Sequence, residues 1–164
     1  MASIEVPKAG DYPRINELGI QIAELHAGWR PDIFVSTRTS ILQKSFDKLV
    51  ENKEIYAIYE DGAVIGYMII KFEASESAIK KHKKKCVLEI ICVDKQHRNK
   101  GYGKKLFDYA IELARKNGAT YFYLDVYPQN ASAIALYEKK GLTVEKPVYS
   151  IELAKPDVDA RGNV

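Results

Sequence analysis

The chain has 164 residues, enough for one domain around one core. Its 46% hydrophobic and 29% charged content is that of an ordinary globular protein, and a formal net charge of +3 is too mild to imply a nucleic-acid partner. No apolar run approaches the ~20 residues of a membrane span, and the first residues lack the basic-then-apolar pattern of a leader. Cys86 and Cys92 lie six apart on one predicted strand, roughly 20 Å between Cα atoms, too far for a disulfide. Unpaired cysteines point to a reducing, cytoplasmic setting. His26, His82 and His97 show no metal-ligand spacing with either cysteine, so no metal is expected.

Ile4 and Val6 alternate with polar residues as a short first strand. Asp11 reads as an N-cap with Pro13 in the first turn behind it. The helix that follows carries Ile15, Leu18, Ile22 and Leu25 on one face, and Ala27-Gly28-Trp29-Arg30-Pro31-Asp32 is expected to break it. Ser40 and Gln43 resemble a capping box for a second helix with Ile41, Leu42, Phe46 and Leu49. A hairpin follows: a strand over 55–59, the turn signal Asp61-Gly62, and a return strand over 63–72.

Residues 73–85 read as a polar loop that ends in the basic run Lys80-Lys81-His82-Lys83-Lys84-Lys85. Val87 to Val93 is a near-continuous apolar strand suited to burial on both faces. A helix over 103–116 ends at the capping pair Asn117-Gly118. Tyr121 to Tyr127 is β-rich, Asn130 caps a last helix that Gly141 stops, and Leu142 to Leu153 is β-like with a break at Pro147. Residues 154–164 read as a polar tail after a single domain of 1–153. The order β-α-α-β-β-β-α-β-α-β implies a mixed α/β sheet: an antiparallel hairpin, a parallel strand pair across residues 87–127, and helices on the faces.

The most informative stretch joins the apolar strand to the next helix. Arg98-Asn99-Lys100-Gly101-Tyr102-Gly103-Lys104-Lys105 places two glycines and four cations at a helix N-terminus, where free amides and the helix dipole favour an anion. A dinucleotide-binding turn would need a third glycine and a tighter connection than the seven residues between Val93 and Gly101. A Walker A loop would need glycines five apart followed by Lys and Ser/Thr, which this stretch lacks.

The pattern Arg98-x-x-Gly101-x-Gly103 after Cys92-Val93-Asp94 resembles the acetyl-CoA pyrophosphate loop of the GNAT N-acetyltransferase superfamily. Downstream, Tyr123-Leu124-Asp125-Val126 looks like that family's fifth strand. The stretch from Asn130 through Ala133, Tyr137, Glu138, Lys139 and Gly141 to Leu142 is similar to its N-x-x-A-x-x-x-Y-E-K-x-G-F segment, with Leu142 in place of Phe. The resemblance is strong over residues 87–142 and topological before that. It implies a mostly antiparallel mixed sheet with a central parallel pair splayed to receive acetyl-CoA.

By that resemblance, the backbone of Ile91, Cys92 and Val93 pairs with the pantetheine arm. Amides from Arg98 through Asn99, Lys100, Gly101, Tyr102, Gly103 and Lys104 take the pyrophosphate, and Asn130 contacts the cofactor from the next helix. Tyr137 serves as general acid; a phenol suits the task because its ordinary pKa of ~10 lies near that of a thiol. Glu89, expected to share a strand face with Val87, Ile91 and Val93, and Asp125 on the adjoining strand are the alternatives for general base. Cys92, expected on the face opposite Glu89, reads as packing, so transfer is expected to be direct, without an acyl-enzyme.

The acceptor is implied to lie between the connection of the first two helices and the C-terminal strands, at Trp29, Arg30, Phe34 and Tyr149. The implied activity is acetyl transfer to a primary amine of a small molecule, peptide or protein; the alternative is a non-catalytic acyl-CoA-binding module of the same fold. The basic run lies one strand length, roughly 23 Å, from the phosphate loop and is read as a solvated loop. The short stretch after Gly141 leaves a sheet edge that a second copy would cover as a homodimer.

Overall fold

The computed structural model describes residues 2–79, 81 and 84–151. Five strands form one sheet in the order β1 (Ser3–Glu5), β2 (Ile55–Glu60), β3 (Ala63–Ala74), β4 (Lys84–Val93) and β5 (Tyr121–Leu124). The first four pair antiparallel and β4–β5 pair parallel. Four helices cover the sheet: α1 (Tyr12–Trp29), α2 (Gln43–Glu51), α3 (Tyr102–Lys116) and α4 (Ala131–Lys139). This is the mixed α/β architecture that the strand and helix order implies.

The sheet separates two cores. On one face Ile15 and Leu18 of α1 and Phe46 of α2 pack on Ile55, Ala57, Val64, Tyr67, Ile69 and Cys92. On the other, Leu106, Phe107 and Ala110 of α3 and Tyr137 of α4 pack on Ile58, Met68, Ile70, Cys86 and Leu88. β3 runs between both cores, so its residues Val64 to Ile70 are buried without alternation. Gly66 has a specific reason to be glycine. A Cβ there would meet the Cys92 carbonyl oxygen at 2.5 Å, so a larger residue would push β3 away from β4.

Local signals explain several elements. Asp61 (φ 50°) and Gly62 (φ 80°) both adopt the left-handed conformation of a type I′ hairpin turn between β2 and β3. Gly118 (φ 71°) closes α3 and Gly141 (φ 87°) closes α4.

Five expectations need correction. The Asp11 carboxylate does not cap α1; it accepts from the Lys8 N–H (2.8 Å) and the Tyr59 hydroxyl (2.7 Å), which closes the preceding 3-10 turn. α1 runs through Gly28 to Trp29 rather than breaking at Ala27. Ser40 forms no capping box: its hydroxyl donates to the Asn16 carbonyl (2.8 Å), and α2 starts at Gln43 after Leu42. β3 and β4 extend into the polar stretch, to Ala74 and from Lys84. No strand forms over residues 142–151, where Val144, Val148, Tyr149 and Ile151 are each at least 80% exposed. β5 is therefore one edge of the sheet among the described residues, with β1 at the other. The tail at 154–164 lies outside them.

The basic run is partly accounted for. Lys85 pairs with Glu73 (2.9 Å) and lies over the Tyr123 ring, and Lys84 lies over Phe72. Both start β4, at the opposite end from Val93. Lys80, His82 and Lys83 lie outside the described residues.

Candidate active site

The β4–β5 ladder has four rungs, from Lys85↔Tyr121 to Leu88↔Leu124. β5 ends there, while β4 continues to Val93. The divergence coincides with a bulge. Ile70 faces Leu88 and Ile69 faces Ile90, so Glu89 is the extra residue in β4. The bulge resets the alternation of the strand. Cys86 and Leu88 before it, and Ile91 and Val93 after it, all belong to the α3 side; Ile90 and Cys92 belong to the α1 side.

Glu89 itself pairs with Lys71 at 2.9 Å, and Lys71 alternates onto the α1 side with Ile69 and Tyr67. Two expectations are thereby overturned. Glu89 does not share a face with Ile91 and Val93, and Cys92 is not opposite it. The packing role of Cys92 is supported: it is 4% exposed, its thiol donates to the Leu18 carbonyl (3.4 Å), and burial pushes its pKa up to about 12.

The loop after β4 is tied down at its start. Asp94, 4% exposed, accepts from Arg14 (2.8 Å) and Gln21 (3.1 Å) and faces His97 Nδ1 (3.1 Å). Burial opposes its charge, but the hydrogen bonds from Gln21, His97 and Arg14 outweigh that and hold its pKa at about 2. Arg98 folds back and donates from Nε to the Val93 carbonyl (3.1 Å).

Asn99 (φ 62°) and Gly101 (φ 85°) both lie in the left-handed region, a conformation that recurs in backbone concavities that bind anions. Gly101 is the N-cap of α3, and its carbonyl accepts the first helical bond, from Lys105 N (3.0 Å). The amides of Tyr102, Gly103 and Lys104 have no partner from the helix itself. A Cβ at Gly101 would meet nothing within 4 Å, and one at Gly103 only Val93 Cγ2 at 3.9 Å. The protein leaves the space over both glycines open, so the loop fits a diphosphate approaching its backbone.

The four cations divide. Lys104 turns along α3 to Asp108 (2.9 Å), which Lys140, the residue that caps α4, also grips, and Lys105 lies over the Tyr102 ring. The Tyr102 hydroxyl bonds to Glu60, so its side chain anchors α3 to β2 and only its backbone faces the loop. Lys100 is exposed. The electrostatic character of the loop thus rests on its amides more than on four converging side chains.

Tyr137 is buried against Phe107, with ring centroids 5.4 Å apart, and burial raises its pKa. Its hydroxyl has no hydrogen-bond partner among the described residues. The Asn130 side chain accepts from Ala133 N (3.4 Å), which gives it the N-cap role read from the sequence. Asp125 is exposed just past β5 and accepts from the Tyr123 hydroxyl (2.6 Å), a bond that pushes Tyr123 up to about 12.

Trp29 and Phe34 come together around His26, at 5.5 and 5.1 Å between ring centroids. Tyr127, from the β5–α4 connection, closes the cluster against His26 (5.3 Å) and Phe34 (5.7 Å). Burial lowers the pKa of His26, favouring the neutral ring. Arg30 turns to Asp32 (2.8 Å) rather than into the cluster. Tyr149 is 89% exposed, and no ring contact links it to these residues.

His26, Tyr127, Gln21 and Asp94 are the residues that sequence reading missed. The i, i+3 spacing of His26 and Trp29 on one helix face was an available signal for the first. Asp94 stands in the motif of the loop but with no role of its own read there, and nothing local marked Gln21 or Tyr127. Among the described residues, no helix is long and apolar enough to cross a membrane, and no cluster of three His, Cys, Asp or Glu side chains is placed to hold a metal.

Comparison with known proteins agrees with this geometry. The model of the acetyltransferase (GNAT) family matches residues 21–142, and the chain belongs to that family. Streptothricin acetyltransferase of Streptomyces lavendulae is 30% identical over 91 residues, 56% of this chain and 44% of that protein. The ribosomal protein bS18-alanine N-acetyltransferase of Escherichia coli K12 is 39% identical over 51 residues, 31% of this chain and 34% of that one. The chain thus spans less than half the length of these curated relatives.

Among solved structures, a mutant of the BH1408 protein of Bacillus halodurans superposes with a TM-score of 0.85 at 23% identity, over 93% of this chain and 99% of that one. Glucosamine-6-phosphate N-acetyltransferase of Arabidopsis thaliana superposes at 0.64 and 21%, over 96% and 99%. At these identities the structural likeness speaks to the fold alone.

Proposed function

We propose that the chain is an acetyl-CoA-dependent N-acetyltransferase that moves an acetyl group directly to a primary amine. The observation that carries this reading is the parting of β4 from β5 beyond Leu88–Leu124, with the glycine loop at the far end of the same strand. The donor supplies an activated acyl thioester; this chain's residues bind, orient and move protons. The free edge of Ile91, Cys92 and Val93 pairs with the extended arm as an added strand. The amides of residues 98–104 take the diphosphate, and Asn130 approaches from α4.

Tyr137 holds its proton at neutral pH and gives it to the departing thiolate. A main-chain amide near Val93 polarises the carbonyl. Glu89 or Asp125 takes the proton of the incoming ammonium. Glu89 is favoured because it stands at the bulge where the strands part. The acceptor packs against Trp29 and Phe34, and His26 and Tyr127 complete that wall. Arg30, already engaged by Asp32, meets an acceptor carboxylate only by exchanging partners.

We place the reaction in the cytoplasm, on the support of two free, buried cysteines. A second copy covering the β5 edge would make a homodimer; a monomer in light scattering contradicts that. A thiol-release assay across amines tests the function, with streptothricin, aminoglycosides, polyamines, amino acids and peptides with N-terminal alanine among them. Turnover on one class supports the enzyme. Acetyl-CoA binding without turnover on any amine supports the acyl-CoA-binding module instead.

A further inference from the structure

We infer that Gln21 is a positioning residue that sets the cofactor loop from the acceptor-side helix. The inference rests on reading residues 98–104 as the acetyl-CoA loop. Gln21 lies in the middle of α1, half-buried. Its amide bridges two successive residues at the start of the loop: Nε2 donates to Asp94 Oδ1 (3.1 Å), and Oε1 accepts from the Lys95 backbone N–H (3.0 Å). A carboxylate offers only acceptors and a backbone N–H only a donor, so one orientation of the amide satisfies both.

The clamp sits where the loop needs fixing. The 3-10 turn of Lys95–His97 leads directly to Arg98 and the left-handed Asn99 and Gly101, and a rotation at Lys95 would redirect every amide after it. Arg14, two turns earlier on α1, holds the other carboxylate oxygen of Asp94 and also donates to the Val64 carbonyl (3.2 Å), so Asp94 stays anchored to α1 and β3 without Gln21. The Lys95 N–H has no such second support. Further along, α1 carries His26 and Trp29 of the aromatic cluster. The donor loop and the acceptor wall are thus attached to one rigid helix: Arg14 and Gln21 hold Asp94, and Gln21 carries the attachment on to Lys95.

Two variants test this. Gln21→Ala removes both hydrogen bonds, and the better helix propensity of alanine offsets only part of that loss, so the fold is expected to persist, held by Arg14 and the two cores, with a melting temperature lowered by a few degrees. Acetyl-CoA binding by calorimetry should weaken about tenfold, as two lost polar contacts imply. The acetyl-CoA KM should rise with it, while kcat at saturation stays within about twofold.

Gln21→Glu keeps the acceptor for Lys95 but sets a second carboxylate against Asp94, and should bind more weakly still. A Gln21→Ala protein with wild-type affinity, or one that loses kcat at unchanged KM, overturns the role. So does a glutamate variant that binds as wild type does. Failure of the wild-type protein to bind acetyl-CoA would instead bring down the reading of the loop itself.

Discussion

Leu88 of β4 and Leu124 of β5 form the last rung of the parallel ladder, and the next residue of β4, Glu89, is a bulge. Up to that rung the two strands satisfy each other's backbone groups. Past it, β4 continues for five residues toward the glycine loop, paired with β3 on one side and with no strand on the other. An open edge beside two hydrophobic cores is costly to keep unless something pairs with it. The proposed chemistry is arranged along that edge.

Gly103→Ala separates cofactor binding from folding. The added methyl meets only Val93 at 3.9 Å and removes a glycine from the first turn of α3. The unfolding free energy should hold or rise by up to about 1 kcal/mol, and the melting temperature should not fall. The acetyl-CoA Kd should rise because the methyl occupies the ligand's approach. An unchanged Kd would take Gly103 out of the cofactor site.

Tyr137→Phe should lower kcat by about 100-fold or more, as loss of a general acid does, with a modest change in acetyl-CoA KM. The ring keeps its contact with Phe107, so the melting temperature should hold. Steady-state kinetics with a saturating amine checks this; a wild-type kcat would remove Tyr137 from the role.

Cys92→Ala should leave turnover intact. The thiol is buried on the α1 side with its pKa at about 12, which suits neither nucleophile nor acid. A modest stability loss of about 1 kcal/mol is expected from the small cavity. Abolished turnover in a folded variant that binds acetyl-CoA would contradict direct transfer.

Asp94 predicts a pH signature in stability. Its folded pKa of about 2 lies below its ordinary unfolded value, so its stabilisation is complete above the unfolded pKa. It is lost as pH falls from about 4 through about 2, and is worth about 2 kcal/mol at neutral pH. Asp94→Asn should therefore melt earlier than wild type at pH 7, and the two curves should converge as the pH is lowered through that window. A constant gap would mean that the carboxylate charge contributes nothing.

What was legible in the sequence was local. Asp61-Gly62, Asn117-Gly118 and Gly141 announce turns through backbone conformations that few residues tolerate, and the structure has them there. The motif from Arg98 to Gly103 and the segment from Asn130 to Gly141 led to the family that the comparisons show. The bulge at Glu89 was not legible. It reflects how β4 fits β3 across two cores, and one extra residue reverses every face assignment after it. The destinations of Asp11 and Ser40 were missed for a similar reason: each side chain found a partner distant in sequence, Tyr59 and Asn16. Val144, Val148 and Ile151 have strand propensity, but propensity becomes a strand only against a partner, and these residues stand exposed.

The most direct test of the account is an amide NMR titration of the protein with coenzyme A. The account predicts that the amides of residues 91–93 and 98–104 shift together and saturate at one Kd, while those of α2 stay in place. Saturable shifts confined to other surfaces, with the loop after Val93 silent, would contradict it.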